Sequence, residues 1–174
     1  MISADHTLPI RAGIDEVWSY VSDIQQWASL FPGCRECIVI DDINSKWLIK
    51  IGVGGLVKLV TVLVHVDRWN GPGLVEFSFK LESEPVVGSG TYAAGALAQG
   101  ATQVMLQVEV AGSGQMAAMW EAMCRPLLPQ LAKSFANSLR AEIEQSTSAL
   151  PLPRPSILAR LLAFFRRFLA KPAR

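Results

Sequence analysis

The sequence predicts an α+β fold: a seven-stranded, coiled antiparallel sheet around a long C-terminal helix, with a separate amphipathic helix in the tail. Three observations predict it. Apolar and polar residues alternate through most of the first 110 positions, the period of strands that keep one face on a core. A helical repeat takes over from Gln115 to Gln145, where Met116, Trp120, Met123 and Leu127, then Leu128, Leu131, Phe135, Leu139 and Ile143, recur at spacings of three and four. Beyond Glu144 there are six bases and no acid against a formal net charge of +1, so the preceding body carries −5. Strands segregated from helices in this way place the helices on one face of an antiparallel sheet.

The elements follow in order. Ile2 to Leu8 alternates and ends at Pro9, a first strand entering a turn. Ile14, Val17, Trp18, Val21, Ile24 and Trp27 have helical spacing, with Asp15 and Glu16 where the helix dipole favours acids, and predict one bent helix or two short ones divided near Ser22 and Asp23. Phe31-Pro32-Gly33 closes this segment, and Arg35 to Ile40 is the second strand. Lys46 to Val53 alternates cleanly, and Gly54-Gly55 is a hairpin turn. Leu56 to Asp67 is apolar on both faces, with Val57, Leu59 and Leu63 opposing Val60, Val62, Val64 and Val66; its outer face is either covered or part of an interface. After Asn70-Gly71-Pro72-Gly73 come a fifth strand (Val75 to Glu82), a sixth rich in small residues (Val86 to Leu97), and a seventh (Thr102 to Val110). Small residues in the sixth strand leave room for a ligand or permit a strong bend. Pro126 and Pro129 predict a kink or break in the long helix, because each lacks an N–H and crowds the preceding turn.

Strands this long exceed the usual ~5–6 residues and must coil through their twist, so the sheet wraps the helix and encloses space. Its predicted lining is Trp47, Ile49 and Ile51 of the third strand, Phe77, Phe79 and Leu81 of the fifth, and Val104, Leu106 and Val108 of the seventh. The helix adds Met116, Trp120, Met123 and Leu127, its methionines supplying adaptable side chains. A ligand there is an apolar small molecule, held by burial worth ~25 cal/mol per Å². The negative body argues against a nucleic-acid partner. Cys34 and Cys37 form a C-x-x-C ahead of a strand, with no second pair and no nearby His, and read as ordinary thiols rather than a zinc site; no metal is expected. No catalytic residue set stands out. His6 and His65 are the histidines, Tyr92 and Asp23 are polar groups expected near the cavity, and no paired carboxylate or Ser/His/Asp pattern accompanies them.

Several short motifs carry a family resemblance over roughly Ser3 to Glu144: Pro9, Val17-Trp18, Asp23, Phe31-Pro32-Gly33-Cys34, Lys50-Ile51-Gly52, the Gly-rich sixth strand and the long final helix. The chain resembles the START-like, or SRPBCC, ligand-binding superfamily with its helix-grip fold, and within it looks most like the G-type subunit of carbon monoxide dehydrogenase. The resemblance implies a ligand-binding accessory protein rather than an enzyme, binding a hydrophobic ligand between sheet and helix. It also implies a role in maturation or membrane recruitment of a molybdenum hydroxylase. A bound isoprenoid quinone, or another lipid in place of any true cofactor, fits that implication. Some superfamily members are polyketide cyclases, which need acid and base groups in the pocket. An adaptor that uses its tail to dock a partner is the other alternative.

The expected domain organisation is a ligand-binding domain over 1–145, a Pro-rich linker over 146–155 and a basic amphipathic helix over 156–171. In that helix Leu158, Leu161, Leu162, Phe164, Phe165 and Phe168 fall in one arc and Arg160, Arg166, Arg167 and Lys171 outside it. Its apolar part is about 20 Å long at ~1.5 Å per residue, too short to span a bilayer and suited to lying on an anionic membrane surface. Packing on a partner or on its own domain are the alternatives. With no signal peptide in view, the expected location is cytoplasmic, peripheral on the inner face of the cell membrane.

Overall fold

The computed structural model describes residues 1–53 and 55–148. Strand β1 (Ile2–Ile10) is followed by helices α1 (Ile14–Val21) and α2 (Ile24–Leu30). Six strands follow: β2 (Cys34–Val39), β3 (Asn44–Val53), β4 (Leu56–Asn70), β5 (Leu74–Leu81), β6 (Val86–Ala96) and β7 (Thr102–Gly112). A short 3-10 turn, Gly114–Met116, leads into α3 (Ala117–Ser148). The seven strands form one sheet in the order β1-β7-β6-β5-β4-β3-β2, every pairing antiparallel. This is the antiparallel sheet with a long final helix expected from the two periodicities, and the helix-grip arrangement that the resemblance implies.

The helical stretch after β1 resolves into two helices at the expected point. Asp23 is the reason: its carboxylate accepts from the backbone N–H of Gln25 and Gln26, 2.9 and 3.2 Å away, capping α2. In the Pro32-Gly33-Cys34 turn, Gly33 has φ +83, and a Cβ there would lie 2.3 Å from the Lys50 carbonyl oxygen. Only glycine meets both demands, and the Gly33 carbonyl accepts the Lys50 N–H at 2.8 Å. Trp18 of α1 lies against Gly71 in the β4–β5 turn, edge-on to Trp69 at 6.0 Å, so the helix pair is anchored over one end of the sheet.

Of the kink or break expected in the long helix, the break is absent: α3 stays helical across Pro126 and Pro129. Both prolines are exposed, as are Ala122 and Arg125, whose carbonyls lose an N–H partner. Water on that face compensates for the missing bonds, so the penalty falls short of breaking the helix. The helix also continues through Ser148, past the expected start of the linker at residue 146. Tyr20 donates to Ser146 and Thr147 to Glu16, holding this last turn against α1. The remaining linker and the helix expected over 156–171, with Leu158, Arg160, Leu161, Leu162, Phe164, Phe165, Arg166, Arg167, Phe168 and Lys171, lie outside the described residues. No helix among the described residues is long and apolar enough to cross a membrane.

The close backbone approaches of α3 to the sheet are with β1 and β7. There the core fills with small and branched residues such as Ala4, Leu8, Val104 and Val110. Toward β3, β4 and β5 the helix stands further off. On the opposite face of the sheet, Val57 and Leu59 of the doubly apolar β4 are more than half exposed, so no described part of the chain covers them.

Candidate functional site

The gap between α3 and the β3–β5 side of the sheet is a cavity of about 170 Å³. Its sheet wall is a register of inward-facing pairs: Trp47 with Val62 and Ile49 with Val60 across β3 and β4, then Phe79 with Val64 across β4 and β5. Ile51, Phe77 and Leu81 extend this wall, and Val86, Leu106, Val108 and Val110 continue it on β6 and β7. The helix wall is Trp120, Cys124, Leu127, Leu128, Leu131, Ala132 and Phe135, and Trp27 and Phe31 close one end. Thr91 and Gln107 are the polar residues in contact; they pair across β6 and β7 at outward-pointing positions, beside Gly90.

An aromatic assembly builds the closed end. Trp27 meets Trp47, Phe77 and Phe135 edge-on, with ring centroids 5.8, 4.9 and 6.3 Å away. Phe31 bridges Trp47 and Phe135 at 5.9 and 6.2 Å. The Trp47 indole N–H donates to Ser45 Oγ at 2.9 Å, which satisfies both polar groups in the interior. The glycines of β6 serve these rings. Phe77 is paired with Gly90 and Phe79 with Gly88, and each ring tip lies 2.2 Å from where the glycine's Cβ would be. The space left by small residues in β6 is therefore filled by two phenylalanines laid across the strand, not by open volume.

Of the residues expected to line the cavity, Trp47, Ile49, Ile51, Phe77, Phe79, Leu81, Leu106, Val108, Trp120 and Leu127 do so. Val104 is instead sealed in the core where α3 meets β1 and β7, at 0% exposure. Met116 lies in the 3-10 turn before the helix and is 48% exposed, and Met123 packs beside Trp120 and Leu128 in a second apolar cluster. Trp27, Phe31, Cys124, Leu128, Leu131 and Phe135 enter the lining unanticipated. The signal for them was present: Trp27 and Phe31 are one helical turn apart, and Leu128, Leu131 and Phe135 formed the second helical stripe.

The polar candidates take structural places. Asp23 is an exposed cap. The Nδ1 of His65 hydrogen-bonds Asn44 Oδ1 at 2.8 Å on the surface. Tyr92 is 1% exposed outside the cavity lining, and its hydroxyl has no hydrogen-bond partner among the described residues. Burial pushes its pKa well above the ordinary tyrosine value. A β-bulge between Cys34 and Glu36 pairs Cys34 with Ile49 and Cys37 with Trp47, which puts both thiols on the inner face. Burial raises both thiol pKa values, as it does for Cys124 in the lining, so the protonated form is favoured at all three.

Residues 1–144 match the family described as polyketide cyclase / dehydrase and lipid transport. No curated protein matches the chain. Among solved structures, a conserved protein from Geobacillus kaustophilus aligns with TM-score 0.72 and 19% identity, over 83% of this chain and 97% of that one. The Zhui aromatase/cyclase from Streptomyces sp. R1128 aligns with TM-score 0.62 and 18% identity, over 85% and 96%. A START superfamily protein from Mycobacterium smegmatis aligns with TM-score 0.61 and 13% identity, over 82% and 97%. At these identities the likeness is one of fold.

Two substitutions check the packing of the site. Gly90→Ala forces the Phe77 ring out of its seat and is expected to cost about 1–3 kcal/mol in urea denaturation, as overpacking does. An unchanged unfolding midpoint would mean that the ring has room to spare. Tyr92→Phe removes a buried, unpartnered hydroxyl and is expected to raise stability by about 1 kcal/mol, seen as a rise of about 3 °C in Tm. A fall in Tm would show that the hydroxyl has a bonded partner in solution.

Proposed function

Because the chain belongs to the polyketide cyclase/dehydrase and lipid transport family, we propose that it uses the cavity to bind and carry a small hydrophobic molecule without transforming it. The observation that supports this is the lining, whose inward-facing side chains are aliphatic or aromatic apart from the thiol of Cys124. Acid–base chemistry of the cyclase kind needs a titrating group near neutral pH beside the substrate, and burial drives the Cys124 thiol the other way. The ligand is small or only partly enclosed, since an apolar cavity of roughly 150 Å³ holds one benzene-sized group. An isoprenoid quinone would place its ring inside and leave most of its chain outside. Native mass spectrometry of protein purified from its host is expected to show a bound lipid-like molecule. A consistently ligand-free protein that takes up no apolar probe would overturn the reading.

Within the family we read the chain as an accessory protein resembling the G-type subunit of carbon monoxide dehydrogenase, serving the maturation or membrane recruitment of a molybdenum hydroxylase. The Pro32-Gly33-Cys34 turn and the glycine-rich sixth strand support this. The acid-free tail sequence, with Arg160, Arg166, Arg167 and Lys171 interspersed among Leu161, Phe165 and Phe168, supports docking of the tail on an anionic membrane surface. Replacing Phe165 and Phe168 with Ser is expected to abolish co-sedimentation with anionic liposomes at any salt, whereas added salt alone weakens it in part. Equal partitioning of the full chain and a fragment ending at Ser148 would leave the tail as a docking helix for a protein partner.

A further inference from the structure

A charged residue stands on the inner face of the sheet next to the cavity. In β4 the column Val60, Val62 and Val64 lines the cavity, and the next residue in that column is Lys58. Its cross-strand partner is Ile51, itself a lining residue, so the two share the inward face. The Lys58 ammonium lies over the ring of Trp120, 5.5 Å from its centroid, and pairs with the carboxylate of Glu84 in the β5–β6 turn. Trp120 is a lining residue of α3. Lys58 thus bridges the sheet wall, the helix wall and the turn between β5 and β6.

We propose that Lys58 anchors the head group of the bound molecule, and that this molecule is an amphiphile with a single carboxylate. The inference rests on the hydrophobic-ligand reading and adds the ligand's polar end. The Glu84 carboxylate already occupies the position a ligand carboxylate would take. Exchange of one for the other keeps the ammonium paired and releases Glu84 to water. The Lys58 side chain is 47% exposed, so the new ion pair stays at a wet rim and avoids the cost of burying charge. The Trp120 face attracts the cation and holds it on the cavity side rather than in bulk solvent. From that point an alkyl tail enters between Ile51, Val60, Leu81 and Trp120. A single ammonium balances one carboxylate, whereas a doubly charged phosphate would remain half compensated. Among the described residues the lining itself holds no base, and no fork-shaped donor is there to hold a phosphate.

Binding of octanoate and of 1-octanol to the full chain, followed by tryptophan fluorescence and by calorimetry, tests this. Octanoate is expected to bind the parent protein about tenfold more tightly than the alcohol, the size of one charge-assisted contact at a partly hydrated site. Lys58→Met is expected to erase that preference, Lys58→Arg to retain most of it, and Glu84→Gln to increase it by freeing the ammonium. Equal affinity of the parent protein for both probes, or a preference that survives in Lys58→Met, would overturn the head-group assignment while leaving hydrophobic binding intact. Failure of both probes to bind the parent protein would remove both readings together.

Discussion

Everything about the interior depends on the unequal distance of α3 from the two halves of the sheet. Against β1 and β7 the helix meets small and branched side chains, Ala4 among them, and approaches closely. On the other side, indole and phenyl rings from α2, β3, β5 and α3 meet edge to face and hold the surfaces apart. Edge-to-face rings fill space at definite angles and pack as a frame rather than as a sheet of methyl groups. The cavity is the remainder left when one rigid helix is close-packed at one margin and propped open at the other. Its walls are therefore parts of the core, and a ligand entering it takes up apolar surface that the fold itself cannot pair.

Much of this was legible from residue periods, and the parts that were not have physical reasons. Strand alternation predicts the inward face of each strand, so Trp47, Ile49, Phe77 and Phe79 could be placed on the helix side from the sequence alone. Alternation gives no distance to the opposing helix. For that reason it could not separate Val104, where the layers touch, from Leu106, where they part. The prolines of α3 do not break it because their cost depends on which face they occupy, and both are on the wet one. Met116 misled because the helical repeat extends in sequence one turn beyond the helix, into a 3-10 turn. Gly88 and Gly90 allowed two meanings until their cross-strand partners were known, since the space beside a glycine belongs to whichever neighbour reaches it.

The same contrast between strand period and partner applies to the C-x-x-C. On an unbroken strand, residues three apart point to opposite faces. The bulge after Cys34 adds one residue and turns both thiols inward, where apolar surroundings favour the neutral form. A local irregularity thereby converts a motif associated with metals and redox exchange into two small side chains packed against the core.

The sheet order has a consequence for how the chain reaches this state. Its first strand is an outer strand whose partner is its last, with Ile2 opposite Val110. A chain emerging from a ribosome at about 5–20 residues per second holds β1 without a partner for several seconds, until β7 has been made. The strands from β2 to β7 form a meander of successive hairpins and can assemble in order of synthesis, whereas β1 must wait. Pairings so distant in sequence close the longest loop and are the slow class of folding event. Because α3 seats itself on β1 and β7 together, the platform that positions the cavity's lid is completed only when the oldest segment of the chain joins one of the newest.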